Sequence, residues 1–141
     1  MRFLLDTCVI SGLRKPRENR SLVEWISDVD ESDLYLSVIT IGEIEKGISL
    51  LPESRKKAEV REWLLRGVTH RFGDRILPVD VPVAARWGEL VGARQQKGKP
   101  LPLLDAFIAS TAAVFNCTVV TRNVEDFAGC GVNVLDPWKS R

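Results

Sequence analysis

Short apolar runs alternate along this chain with longer stretches in which apolar residues return every three or four positions. Residues 3–5, 34–36, 76–79, 118–121 and 132–135 are brief and rich in β-branched or large apolar side chains, which predicts strands. Helical spacing fills the intervals. Leu22, Trp25, Ile26 and Val29 mark a helix over 21–29; Ile41, Ile44, Ile48 and Leu51 mark a second. Val60, Trp63, Leu64 and Val68 line one face of a helix over 58–71, and Ala84, Trp87, Leu90, Val91 and Arg94 one over 83–97. After the break at "GKPLP", residues 104–115 form a strongly apolar helix. Strands separated by helices predict an α/β fold with a mostly parallel central sheet. Such sheets carry their sites in the crevice beyond the carboxyl ends of the strands.

That rule gives meaning to where the acids fall. Asp6 follows the first strand directly, in "FLLDTC". Glu43 opens the helix after the second strand, in "SVITIGEIEKG". Asp105 starts the apolar helix, in "LPLLDAFIAS". Asn123 and Asp126 follow the fourth strand, in "VVTRNVEDF". Each position also has a purely structural use. Thr40-x-x-Glu43 matches a capping box, Asp105 suits the positive end of a helix, Asn123-x-x-Asp126 suits a cap and first turn, and Asp6 suits a turn. Carboxylates gathered at one rim repel each other, and a hard divalent cation is what usually holds them together.

Composition decides which cation. The chain has 141 residues, 45% hydrophobic and 28% charged, as expected of one globular domain spanning residues 1–141. One histidine and three widely spaced cysteines, Cys8, Cys117 and Cys130, argue against a zinc site. Oxygen donors point instead to Mg²⁺, with Mn²⁺ as an alternative, and an acidic Mg²⁺ pocket implies phosphoryl chemistry. The net charge of +1 supplies no global field for nucleic acid, so contacts must be local. No run approaches the roughly 20 apolar residues of a membrane helix, and Asp6 interrupts the only N-terminal run, so a cytoplasmic location is expected.

At four segments the sequence resembles the PIN-domain family, and within it the VapC-type (FitB-like) ribonuclease toxins of type II toxin–antitoxin modules. The matching pieces are "LLDTCVIS", "SVITIGEIEKGI", "LPLLDAFIASTA" and "TVVTRNVEDFAGCGVNVLDPW", in the family's order and over nearly the whole chain. The resemblance implies a three-layer α/β/α sandwich and a Mg²⁺- or Mn²⁺-dependent endoribonuclease. It also implies a cognate antitoxin and a homodimer. Carried over by position, Asp6 and Asp105 become the principal metal ligands, and Glu43 a metal-site or water-positioning acid. Many members read Thr-x-Asp after the fourth strand, whereas this chain reads Thr121-Arg122-Asn123, leaving Asp126 as the available acid. A second ion is thereby put in doubt.

Among basic stretches, Arg86, Arg94, Lys97 and Lys99 lead into the loop before Asp105 and are candidate RNA contacts. Residues 55–75 mix cations with acids as a solvated helix face does. Cys8 is expected as a small core residue, and the four tryptophans as packing residues, with Trp25 and Trp63 also candidates for an antitoxin groove. A haloacid-dehalogenase-like phosphatase would need a second aspartate where Cys8 stands, and no glycine-rich phosphate loop is present. The alternative of a different class is a catalytically idle PIN domain that binds RNA or protein, which the Asn123 departure keeps open.

Overall fold

The computed structural model describes residues 1–139. Five strands, β1 (Phe3–Leu5), β2 (Leu34–Ser37), β3 (Ile76–Leu77), β4 (Thr118–Val120) and β5 (Val134–Leu135), form one sheet in the order β3-β2-β1-β4-β5. Every pairing is parallel. The first strand is thus the central one, flanked by β2 and β4.

Parallel pairing requires a crossover between neighbours, and helices supply it. They are α1 (Thr7–Leu13), α2 (Arg20–Asp28), α3 (Val38–Ser49), α4 (Arg55–Glu62), α5 (Val81–Gln96) and α6 (Leu103–Phe115). The period-two alternation of the strands sorts the layers. Phe3, Leu5 and Val120 pack with Val9, Ile10, Leu22, Trp25, Ile44 and Ile48, the α1–α4 side. Leu4 and Val119 pack with Leu90, Ile108, Ala109 and Phe127, the α5–α6 side. The result is the expected α/β/α sandwich, with the Trp25 and Phe3 rings nearly perpendicular and their centroids 5.1 Å apart.

Helix starts follow local capping chemistry. The Ser37 hydroxyl accepts from Ile39 N at 3.0 Å, Ser54 from Lys57 N at 3.2 Å, and the Asp80 carboxylate from Val83 N at 3.1 Å. Helix α6 follows Pro102 and ends at Asn116 in the left-handed region, φ 57°.

Three details differ from the sequence expectation. Helix α1 has seven residues, under two turns, too few to show a period. Helix α3 begins at Val38, capped by Ser37, so Thr40 and Glu43 form no capping box; the buried Thr40 hydroxyl has no partner among the described residues. Helix α4 begins at Arg55 and passes into a π-helical stretch, Trp63–His70. There Gly67 lies against the Trp63 ring, 3.1 Å from where a Cβ would sit.

Candidate active site

Asp6 is held by the end of β1. Its backbone N–H donates to Val120 O at 2.9 Å, so the strand ladder fixes the residue before its side chain does anything. The side chain is 7% exposed, and both carboxylate oxygens are engaged. Oδ1 accepts from Thr7 N at 2.8 Å and caps α1; Oδ2 accepts from the Thr121 hydroxyl at 2.8 Å. Two donors on one carboxylate offset much of the cost of burying it. The structural use expected of an acid here and the site use coexist in one residue.

Thr7 does a second job. Its hydroxyl donates to Glu43 Oε1 at 2.7 Å, so adjacent atoms of one threonine orient the acids of β1 and α3. Glu43 lies in the second turn of α3, half-buried. Asp105 occupies the first turn of α6 and is also half-buried. Burial, followed by repulsion from Asp6, Asp126 and Glu43, pushes its carboxyl up to about 6. The charges of three acids from three other segments therefore converge on Asp105.

The turn after β4 forms the fourth corner. Asn123 N donates to the Thr121 hydroxyl at 3.0 Å, and Asp126 N donates to Asn123 O at 3.1 Å. This places Asp126, in the short 3₁₀ turn Val124–Phe127, where its charge reaches Asp105. Asn123 makes no side-chain cap. Thr121 is fully buried and joins Asp6 to the Asn123 backbone.

Thr7 and Thr121 are the residues that sequence reasoning underused. The signal for each was a hydroxyl beside a carboxylate or at a strand end.

The basic candidates separate. Arg94 donates to Lys99 O at 2.8 Å and to Ala128 O at 3.0 Å, tying the 97–102 loop to the segment that carries Asp126. Lys97 and Lys99 are exposed on that loop. Arg86 lines a different cavity, with Asn116, Cys117 and Asn133, beside the amino ends of β4 and β5. His70 is exposed on the π-helical stretch. Burial pushes the Cys8 thiol up, so it is a poor nucleophile despite lying 3.5 Å from the Thr121 hydroxyl. Among the described residues no three His, Cys, Asp or Glu side chains form a ready-made metal cage. The donor set suits the mode in which Mg²⁺ takes one or two carboxylates and fills its shell with water and substrate phosphate.

An all-parallel sheet with Asp6, Glu43, Asp105 and Asp126 within electrostatic reach of one another after its strands is an arrangement that can serve hard-cation phosphoryl chemistry. The chain belongs to the PIN-domain family, whose model matches residues 3–129. PIN-domain nucleases depend on divalent metal in general. Toxin FitB of Neisseria gonorrhoeae is 38% identical over 135 residues, 96% of this chain and 97% of its own length. The VapC ribonuclease Y4jK of Sinorhizobium fredii is 30% identical over 136 residues, 96% of this chain and 97% of its own. The solved structure of FitAB bound to an IR36 DNA fragment contains a chain with TM-score 0.91 and 36% identity, covering 99% of this chain and 97% of that one.

Proposed function

We propose that this chain is a Mg²⁺-dependent endoribonuclease, with Mn²⁺ able to substitute, and the toxin of a type II toxin–antitoxin module. The carrying observation is the hydrogen-bonded set that joins Asp6 to Glu43 through Thr7 and to the Asn123 turn through Thr121, with Asp105 near enough for the charges of Asp6, Asp126 and Glu43 to raise its carboxyl. Similarity to FitB and to a VapC ribonuclease over nearly the full chain supports the same reading. Asp6 and Asp105 would hold the ion. When bound, it supplies Lewis acidity at the scissile phosphate and makes water a competent nucleophile at neutral pH.

The chain's own residues do the rest. Thr121 and Thr7 hold the Asp6 carboxylate in place by a hydrogen bond to each of its oxygens. Glu43, oriented by Thr7, or Asp126 would line up the attacking water and take its proton. Asn123 can hydrogen-bond water but cannot act as a base. Lys97 and Lys99 contact RNA phosphates, and Arg94 holds their loop in place. We further propose a cytoplasmic homodimer neutralised by a cognate antitoxin, in line with the FitAB complex of the relative. Among the described residues no helix is long and apolar enough to cross a membrane. The amide at Asn123 favours a second reading, an RNA-binding PIN domain without turnover.

Incubating the purified chain with RNA in Mg²⁺, Mn²⁺ or EDTA separates the two. Cleavage that requires metal and disappears in Asp6→Asn, with the circular dichroism spectrum retained, supports the nuclease. RNA retention without cleavage, or full activity of Asp6→Asn, overturns it.

A further inference from the structure

A cleft of about 310 Å³ opens beside Glu43 and runs between α1, α3 and α4 to Trp63. It begins at Thr7 and Glu43, the pair joined by the 2.7 Å hydrogen bond of the acidic site. Its floor is apolar: Ile44, Ile48, Leu51 and Val60. Its rim is cationic, with Arg14, Lys15 and Lys56 all exposed. The Arg14 guanidinium lies over the Trp63 ring, 5.0 Å from its centroid, making a flat cationic stack at the far end. Among the described residues, Lys15 and Lys56 form no salt bridge, unlike Lys57, Arg61 and Arg66 on the same surface.

Gly47 adds an independent observation. It lines the cleft from the last turn of α3, where glycine still costs up to about 1 kcal/mol relative to alanine. A Cβ built there meets nothing within 4 Å, so neither packing nor backbone geometry in this chain calls for glycine. Its effect is to leave the wall of the cleft open.

Resting on the ribonuclease reading, we propose that this cleft is the subsite for the nucleotide next to the scissile phosphate. The base lies on the apolar floor and stacks toward Arg14–Trp63, while Lys15 and Lys56 receive the flanking phosphate. Charge selects this occupant: a polyanion whose scissile phosphate sits at the acidic site needs cations at the next phosphate along. A half-apolar, half-cationic trough of this kind is how single-stranded nucleic acid is gripped without base pairing.

The test is steady-state cleavage of a single-stranded RNA of about ten nucleotides in Mg²⁺ by Gly47→Leu and by the Lys15→Ala/Lys56→Ala double variant. Gly88→Leu, on an exposed and equally open position of α5, is the control. Both cleft variants should raise KM at least about tenfold, the scale of one lost base stack, with kcat within about twofold by the same measure. Thermal melts of the two glycine replacements should stay at or above wild type. Unchanged KM in both cleft variants overturns the subsite. So does unchanged KM accompanied by lost neutralisation by the antitoxin, which assigns the cleft to protein instead. If the wild type cleaves no RNA, the ribonuclease reading fails, and anisotropy titration of the labelled RNA judges the subsite separately. Weaker binding by the cleft variants then supports it, and equal binding overturns it.

Discussion

The Thr121 hydroxyl donates to Asp6 Oδ2 across 2.8 Å, joining positions 115 residues apart through a contact with no exposed surface on the threonine. The same oxygen accepts from Asn123 N at 3.0 Å, so its one proton is committed to Asp6. Thr121→Val keeps the shape and removes that proton. It leaves a buried carboxylate oxygen and a backbone N–H short of partners, at a cost of about 1–3 kcal/mol. Chemical denaturation should show that loss. Calorimetry should show Mg²⁺ affinity reduced by about tenfold or more, as when the support of a metal ligand is removed.

Thr7→Val isolates the other arm. The backbone N–H to Asp6 survives, and only the hydroxyl to Glu43 is lost. Thr7 is partly exposed, so stability should change by under about 1 kcal/mol. RNA cleavage should fall in kcat by about one order of magnitude with KM little changed, the pattern of a lost transition-state contact. Thr7→Ser should restore most of it. A KM effect alone would count against a positioning role.

Asp105 predicts a pH dependence of the metal-free protein. Its carboxyl is pushed up to about 6, above the roughly 3.9 of an unfolded aspartate. The fold therefore holds this proton more tightly than the unfolded chain does. The stability so gained is complete below about pH 4 and is lost as pH rises through about 6. Asp105→Asn should melt higher than wild type at pH 7.5, by about 1 kcal/mol once solvent screening of a half-exposed group is allowed for. The difference should vanish near pH 4, and saturating Mg²⁺ should stabilise wild type but not the variant.

How much of this was legible beforehand divides along physical lines. The central strands and long helices announced themselves because burial imposes a period on many residues at once. Asp6, Glu43, Asp105 and Asp126 were legible because a parallel sheet gathers whatever follows its strands. Helix α1 was not, because its start depends on one carboxylate and its length on under two turns. Nor was Arg94's commitment to Lys99 and Ala128 carbonyls, since backbone acceptors leave no mark in composition. Thr40 looked like a cap only because nothing local says that β2 ends at Ser37 and that Ser37 takes that role.

The C-terminal segment makes a further prediction. Trp138 is clamped by the Arg122 guanidinium, 4.0 Å over its ring, and donates through Nε1 to Asn19 Oδ1 at 2.9 Å. Arg122 sits between Thr121 and Asn123, so the clamp also steadies the active-site turn. Trp138→Ala should lower stability by about 2–3 kcal/mol, in the lower range for losing a large aromatic because this ring is only partly buried. Trp138→Phe keeps a smaller aromatic ring under Arg122 and loses the Asn19 bond, and should cost about 1 kcal/mol. Denaturant melts of the pair distinguish packing from hydrogen bonding.

The strand order carries a consequence in time. Asp6 is made 115 residues before Thr121, which completes its carboxylate's hydrogen bonds, and β1 gains its second neighbour only when β4 arrives. Asp105 and Asp126 also come from the last third of the chain. A nascent chain on the ribosome, surrounded by RNA, therefore carries an unfinished site until β4 and the turn after it have emerged. The site closes only when β4 joins β1.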